Sequence, residues 1–343
     1  MAVAPGMRPV LNWLVTGCVM IGGMVLIGGV TRLTGSGLSI TEWKPIVGAV
    51  PPLNGEQWKE AFAKYQGIPE YKLVNSHMDL AGFKRIFFWE YLHRNWGRLM
   101  GLVFLVPFLW FWRTGRLNGP LMRRTLTILI GGGLVGALGW FMVASGLEDM
   151  PDVSHYRLAI HLVSAFTVFS LVLWTAFDVK RGRRTYGPGD DAVGRQARWL
   201  LLLLLVQVVY GAFTAGLDAG RIYNTWPLMN GRFIPDNVLA FPSLWKDLTD
   251  HRDGVQFVHR NLAWLVAVGF LAVAWMHRGR KDLSSAMKWL AVAVVVQFAL
   301  GILTVLTQVD LVLGVLHQSG ALLLLVALLN VVHRTGRPLP SAA

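Results

Sequence analysis

Four of the nine histidines stand at matching positions along an otherwise apolar chain. They are His93, His161, His259 and His317, and each follows the beginning of a long apolar stretch. A polar residue inside a membrane is costly, so it is a functional candidate by default. A histidine there can also serve packing alone. Four of them at one predicted depth, two in each half of the chain, favour ligation of a metal.

The spacing of these histidines indicates haem rather than a compact metal cluster. Zinc and copper sites usually gather further histidine, cysteine or carboxylate ligands close together. Here each half offers two histidines from non-adjacent stretches, which suits two axial ligands on opposite faces of one haem iron inside a four-helix bundle. The glycines at 131–133, 136 and 139 could admit a large flat ring, or they could serve ordinary helix packing.

A carboxylate stands beside the first of these histidines, and an amide stands beside its counterpart. Glu90 precedes His93 by three residues on the same helix face, as Gln256 precedes His259. A carboxylate can transfer protons or stabilise positive charge, and an amide can do neither. The first half is therefore predicted to perform chemistry and the second to hold a redox cofactor. The alternative is that Glu90 merely pairs with Arg94.

The other polar side chains in these regions have simple structural explanations as well. Three arginines at the outer ends could pair with haem propionates or reach the lipid headgroups, namely Arg94, Arg157 and Arg260. His277 and His333 lie at basic inner helix ends without counterparts in the first half, so a second haem there is not favoured. The remaining histidines of the outer loops are expected in solvent, namely His77, His155 and His251.

Eight apolar stretches must position these residues. A bilayer core needs roughly 20 apolar residues in helical form, and such stretches lie near 10–31, 90–112, 125–146, 156–178, 197–217, 255–276, 287–308 and 312–333. The chain is 54% hydrophobic and only 15% charged, with a mean hydropathy of +0.48. These values predict an all-α, polytopic membrane protein with eight transmembrane helices. A short amphipathic helix is expected at 56–66 in the first outer loop.

The distribution of positive charge predicts the orientation. With the N-terminus inside, the short inner segments hold the excess of lysine and arginine, and the outer segments are nearly balanced. The net charge of +13 therefore indicates topology and not a nucleic-acid partner. The nearly bare N-terminus favours a bacterial inner membrane, with both termini cytoplasmic and the four histidines toward the periplasmic side. The one cysteine, Cys18, excludes intramolecular disulfides.

The second half of the chain repeats the first. GGVTRLTGSG at 28–37 matches GAFTAGLDAG at 211–220, and EYLHRN at 90–95 matches QFVHRN at 256–261. Ala-Leu-Gly also occurs in the third and the seventh apolar stretch, at 137–139 and 299–301. Each unit has an even number of spans, so the repeats share one orientation, and two four-helix bundles related by a pseudo-twofold axis are predicted.

Three regions follow from this repeat. Residues 1–179 are the N-terminal half, predicted to bind substrate and to perform catalysis. Residues 180–198 form a basic cytoplasmic linker. Residues 199–343 are the C-terminal half, predicted to hold the cofactor.

The chain resembles the haem A synthase family over essentially its whole length. The matching elements are GGVTRLTGSGLSITEWKPIVGAVPP, EYLHRNWGRLMGL, GALGWFMVASGLEDMPDVSHYRLAIHL, GAFTAGLDAGRIYNTWPLMNG, VQFVHRN and LHQSGAL. The resemblance implies an eight-helix oxidoreductase that oxidises the C8 methyl of haem O to a formyl group. Two successive hydroxylations followed by loss of water give haem A, which cytochrome oxidase uses.

The resemblance also implies the roles of the site residues. It implies a haem b cofactor with His259 and His317 as axial ligands, and a substrate haem held by His93 and His161. Glu90 matches the glutamate of the family's E-x-x-H motif, which stabilises a cationic intermediate or deprotonates the attacking water. Some bacterial members carry a cysteine pair in the first outer loop. This chain lacks that pair, so a thiol relay is not expected and the electron route stays open.

The implied partners are haem O as substrate, haem O synthase, cytochrome oxidase assembly factors and membrane lipid, with a homo-oligomer left open. Two other classes of protein compete with this interpretation. A non-catalytic dihaem membrane electron carrier would hold two permanent haems and need Glu90 only for its redox potential. A transporter would need a polar pathway reaching both faces, whereas the four histidines are predicted on one side.

Overall fold

The computed structural model describes residues 3–43, 47–147, 152–187 and 190–339. Parts of two family motifs, at 44–46 and 148–151, lie outside the described residues, as do both chain ends. The described chain is almost entirely helical. Its α-helices are α1 (Arg8–Leu33), α2 (Gly55–Gln66), α3 (Pro69–Leu73), α4 (Leu80–Arg113), α5 (Gly119–Leu147), α6 (His155–Arg181), α7 (Ala192–Gly216), α8 (Leu244–Thr249), α9 (Arg252–Met276), α10 (Ser284–Leu306) and α11 (Leu311–Thr335).

Seven of these helices are long and apolar enough to cross a membrane, namely α1, α5, α6, α7, α9, α10 and α11. The longest helix, α4, has 34 residues but carries Glu90, His93, Arg94 and Arg98 in its middle. At 1.5 Å per residue it extends about 51 Å, which exceeds a hydrocarbon core of about 30 Å. The protein is therefore a multi-pass, all-α membrane protein, and the count of eight spans stays a prediction.

The long helices of the first half form a ring. Helices α1 and α5 each pack against both α4 and α6, so α4 and α6 face one another across the bundle. In the second half, α7 and α10 each pack against both α9 and α11, so α9 and α11 take the same facing positions. The four candidate histidines lie on these facing helices. Each half thus places its two histidines on opposite sides of one bundle.

The two bundles meet through α1, α6, α7 and α11. Helix α1 packs on α11, α6 packs on α7, and α6 also packs on α11. Helix α1 corresponds to α7 and α6 corresponds to α11 in the repeat. The α1–α11 contact is therefore equivalent to the α7–α6 contact, as a twofold relation requires. The apolar core along this contact includes the fully buried Leu14, Val172 and Leu328. The symmetry axis itself stays a prediction that these paired contacts support.

At the end opposite the candidate histidines, a network of charged residues and a short pair of antiparallel strands connect the two halves. Asp178 on α6 accepts a hydrogen bond from Arg124 on α5 and lies 2.9 Å from Nε2 of His333 on α11. Strand β1 (Arg184–Thr185) pairs antiparallel with β2 (Arg337–Pro338). Helix α6 runs to Arg181 and α7 begins at Ala192, so both ends of the predicted linker at 180–198 are helical.

An aromatic cap covers the outer end of the first bundle. The amphipathic helix predicted at 56–66 is confirmed as α2, which begins after Asn54, whose Oδ1 accepts a hydrogen bond from the backbone of Gln57. Residues of the cap pack on the outer extension of α4, with Tyr65 and Phe83 fully buried. Helix α4 begins ten residues before the predicted apolar stretch. The cap is therefore built on α4, the helix that carries Glu90.

Candidate functional site

Each of the four candidate histidines lies directly against a glycine of a neighbouring helix. A Cβ added at these glycines would fall 2.9–3.3 Å from the nearest ring atom. The pairs are Gly28 with His93, Gly139 with His161, Gly211 with His259 and Gly301 with His317. Any larger residue would displace the ring. Glycine thus sets the position of each imidazole.

The imidazoles associate in two couples, one in each bundle. His93 lies close enough to His161, and His259 to His317, for their charges to interact. The histidines lie in the outer portions of α4, α6, α9 and α11, and their partner glycines lie near the ends of α1, α5, α7 and α10. Both couples are therefore at the same end of the molecule, opposite the basic inner segments.

The ring edges are oriented in a similar way at three of the four positions. His161 and His317 present Cε1 to their glycines, with Nδ1 at 3.4 Å, and His259 also presents Cε1. These three rings approach the backbone carbonyls of Val135, Gln207 and Gln297. Within the described residues, Nδ1 of His161 and of His259 nevertheless has no hydrogen-bond partner.

His93 differs from the other three because Nε2, at 3.1 Å, and Cδ2, at 3.5 Å, face Gly28. A half-turn of the ring exchanges Nε2 with Cε1 and Cδ2 with Nδ1. This rotation gives His93 the arrangement of its three counterparts.

Glu90 is buried three residues before His93 on α4, where two hydrogen-bond donors and one ion-pair partner surround its carboxylate. Its Oε2 accepts hydrogen bonds from Ser39 Oγ and from the backbone N–H of Ile40, each at 2.7 Å. Its Oε1 lies 2.7 Å from a guanidinium nitrogen of Arg94. Only 3% of Glu90 is exposed. The ion pair with Arg94, which the sequence offered as the alternative role of Glu90, is therefore present.

The second half reproduces this arrangement without the charge. Gln256 is buried and donates to the backbone carbonyl of Tyr223 at 3.1 Å. Arg260 donates to the carbonyls of Tyr223 and Thr225, as Arg94 donates to those of Ile40 and Glu42. The loop that follows the first helix of each bundle, α1 or α7, is thus anchored by an equivalent arginine. What differs is a carboxylate in one half and an amide in the other.

The outer arginines have protein partners, which sequence reasoning had left open. The guanidinium groups of Arg94 and Arg260 bind loop carbonyls, and that of Arg157 donates to the carbonyl of Phe141 and stacks on its ring. Main-chain acceptors of this kind leave no side-chain pattern in the sequence. These contacts show that Arg94 and Arg260 anchor loops and that Arg157 ties α6 to α5.

The outer-loop histidines expected in solvent are instead engaged at two positions. His155 lies 3.3 Å from Asp250, and His251 lies 3.3 Å from Asp253, so that expectation was wrong for both. At the inner end, His277 lies 2.7 Å from Gln196, while His333 lies against Asp178. The two inner histidines therefore have separate partners.

Of the four glycines that contact the imidazoles, only Gly139 was singled out from the sequence, although a signal existed for all four. Gly28 and Gly211 open the first pair of repeated segments, and Gly139 and Gly301 close the repeated Ala-Leu-Gly. The neighbouring Gly132, Gly133 and Gly136 face open space. Repetition at equivalent positions, rather than glycine density, marks the glycines that contact the histidines.

The donors fit haem. Each bundle offers two imidazoles from facing helices, as the two axial ligands of a haem iron require, and glycines of the neighbouring helices lie against the rings. The Nδ1 atoms of His161 and His259 are buried without a hydrogen-bond partner among the described residues. Within those residues, no three histidine, cysteine, aspartate or glutamate side chains gather as a metal-ion cluster. The candidate nitrogen ligands therefore occur as two pairs of histidines.

The fold and the site define a multi-pass helical membrane protein with paired histidines at one end of two bundles. A family model described as cytochrome oxidase assembly protein (COX15-CtaA) matches residues 11–329. "Heme A synthase" of Maricaulis maris (strain MCS10) is 46% identical over 326 residues, 94% of each chain. That of Rhodospirillum centenum is 45% identical over 335 residues, 97% of this chain and 89% of the relative. The chain belongs to the haem A synthase family, a family of enzymes.

Proposed function

We propose that this protein oxidises the C8 methyl of haem O to a formyl group by two successive hydroxylations, producing haem A for cytochrome oxidase. Membership of the haem A synthase family supports the product. The observation that carries the assignment of the reaction to one half is the buried carboxylate of Glu90. It lies beside one histidine couple, where the other half has Gln256.

The two couples take different haems in this proposal. His93 and His161 bind the substrate haem and orient it in the first bundle. His259 and His317 hold haem b as the resident cofactor in the second bundle. When bound, haem b supplies one-electron redox chemistry. The chain's own contribution is to fix the imidazoles through the facing glycines and to keep both sites at one end of the membrane.

Glu90 acts as a fixed negative charge beside the substrate. Three donors, from Ser39, Ile40 and Arg94, surround its carboxylate, and an ionised carboxylate is an acceptor only. Such a preorganised charge stabilises positive charge that develops during oxidation of the methyl group. The ion pair with Arg94 and the two hydrogen bonds to Oε2 support this electrostatic role.

The proposed setting is the bacterial inner membrane, with both termini cytoplasmic and the histidines toward the periplasm. The basic residues at the end opposite the couples support that orientation. A farnesylated haem substrate is membrane-soluble, so haem O synthase in the same bilayer is the proposed source. Cytochrome oxidase assembly factors are the proposed recipients.

The test is to express Glu90→Gln in a host that supplies haem O and to quantify the extracted haems. We expect haem A formation to fall about 100-fold, or about 2.7 kcal/mol in barrier, as for loss of one preorganised electrostatic group. Haem O should accumulate. Ser39→Ala keeps the charge and should give a smaller loss, and Glu60→Gln on the surface of α2 should give none.

Two results would contradict the proposal. Unchanged haem A in the Glu90→Gln variant would remove the role of the carboxylate. Two permanently bound haems without any haem A product, in the unsubstituted protein, would favour the electron carrier. Bound haem should be measured in every variant, because loss of haem would indicate a structural rather than a chemical effect.

A further inference from the structure

The two halves differ in polarity immediately behind their histidines. In the second half, Gln207 on α7 donates to the backbone carbonyl of His259 at 3.2 Å. Gln297 on α10 donates to the backbone carbonyl of His317 at 2.9 Å, and the same Nε2 lies 3.2 Å from His317 Nδ1. Each histidine of the second couple is therefore tied by an amide from the neighbouring helix.

The equivalent positions in the first half are apolar. Gln207 and Gln297 each precede by four residues the glycine that faces the histidine, Gly211 or Gly301. The residues four places before Gly28 and Gly139 are Met24 and Val135. Neither side chain can donate a conventional hydrogen bond to a histidine backbone. The first couple thus lacks both amide ties.

The facing helix has a matching difference. A Cβ added at Gly320, three residues after His317, would fall 2.2 Å from Gln297 Oε1. In the first half, the residue three places after His161 is Ser164, which stands at the level where Val135 replaces the amide. Glycine on α11 therefore makes room for the glutamine on α10. The amide and its cavity occur together in one half only.

The amide oxygens of the two glutamines are buried and lack partners within the part of the chain that the structure describes. Oε1 of Gln207 and of Gln297 are buried and have no hydrogen-bond partner among the described residues, like Nδ1 of His259. Groups around a ligating histidine fix its ring orientation, and their loss typically lowers metal affinity by about 10–100-fold. The polar contacts of the second half are placed to do this.

We propose that Gln207 and Gln297 are positioning residues that make the second couple retain its haem, and that Met24 and Val135 leave the first couple free to exchange. The inference rests on the proposed function, since it takes both couples as haem ligands. It explains how one duplicated scaffold separates a resident cofactor from a substrate that must enter and leave. The difference lies behind the ligands rather than in them.

The test measures how fast purified protein with bound haem loses haem to excess apo-myoglobin. Gln207→Leu and Gln297→Leu should each release the second-half haem at least tenfold faster than the unsubstituted protein. Low-spin electron paramagnetic resonance signals should also shift, because the imidazole planes are less constrained. Gln196→Leu is the matched control, since Gln196 lies on α7 and contacts His277 away from both couples.

A reciprocal variant tests the first half. Val135→Gln combined with Ser164→Gly introduces the amide together with the space it needs, and release of haem O should become slower. Unchanged release in the leucine variants and in the reciprocal variant would overturn the inference. The proposed function would fail in a different way, through absence of haem on His259 and His317 in the unsubstituted protein. A leucine variant that fails to fold leaves the reciprocal variant as the deciding measurement.

Discussion

Single glycines decide where the imidazoles lie. Gly139 and Gly301 allow α5 and α10 to approach the rings of His161 and His317 so closely that a Cβ would fall within 3.0 Å of a ring carbon. Gly132 is on the same helix as Gly139 and has no atom within 4 Å of such a Cβ. The same residue type therefore has two different consequences on one helix.

We predict that Gly301→Ala displaces His317 and lowers the haem retained after purification severalfold. The added methyl group would lie 2.9 Å from Cε1 of the ring, which cannot move without leaving its backing helix. Gly132→Ala should retain haem fully and gain about 0.5–1 kcal/mol of helix stability. Haem content per polypeptide measures both effects. Equal haem content in the two variants would contradict the role given to the glycines.

Residue chemistry was the most predictable part of the site, and contacts to the main chain were the least. The four histidines and Glu90 follow from residue type, repetition and helix position, and the pairs of facing helices agree with this spacing. Their roles stay predictions. The partners of Arg94 and Arg260 are loop carbonyls, which no side-chain pattern encodes. A sequence shows which groups can bond, but not which backbone atoms will meet them.

At the level of elements, the outer cap distinguishes the first bundle from the second. Helix α3 packs on α5 and buries Glu70, whose carboxylate lies 3.3 Å from the hydroxyl of Tyr65. Asn75 in turn donates to that hydroxyl at 2.8 Å. The pKa of Glu70 is raised to about 7, mainly by burial and to a smaller extent by the nearby Glu90 and Asp152, against the lowering effect of the hydrogen bond from Tyr65. Ionisation of Glu70 therefore falls near neutral pH.

We predict that the cap loosens as the pH rises through about 7. The folded pKa of Glu70 is above its ordinary value, so its contribution to stability is fully present below that ordinary value and is lost as the carboxyl ionises. Hydrogen-exchange protection factors in α2 and α3 should be higher at pH 5.5 than at pH 8. Glu70→Gln should remove this difference, and its persistence would contradict the assignment to Glu70.

The helices themselves were predictable because each is an apolar run ended by polar or glycine-rich segments. The outer extension of α4 was not, since residues 80–89 mix charged and aromatic residues and continue the helix beyond the membrane. Its Phe83 packs against Tyr65 and its Phe87 against Trp58, and these contacts with the cap stabilise the extension. Tertiary contacts of this kind override the local apolar signal.

For the whole molecule, duplication explains the architecture and departures from duplication explain the division of labour. Contacts between helices repeat in both halves, as do the glycine–histidine pairs. Glu90 against Gln256, and Met24 and Val135 against Gln207 and Gln297, break the repeat near the couples. The repeat was visible in the sequence. The exchange of Gln207 and Gln297 for Met24 and Val135 was not recognised in the sequence, because its effect depends on which helices lie against the histidines.

The most direct measurement of the central claim is the low-spin electron paramagnetic resonance spectrum and haem content of the purified protein. We predict a bis-imidazole signal that His317→Ala abolishes and that His277→Ala, at the inner end, leaves unchanged. A purified protein without bound porphyrin iron would contradict the account. So would a His317→Ala variant whose spectrum equals that of the unsubstituted protein.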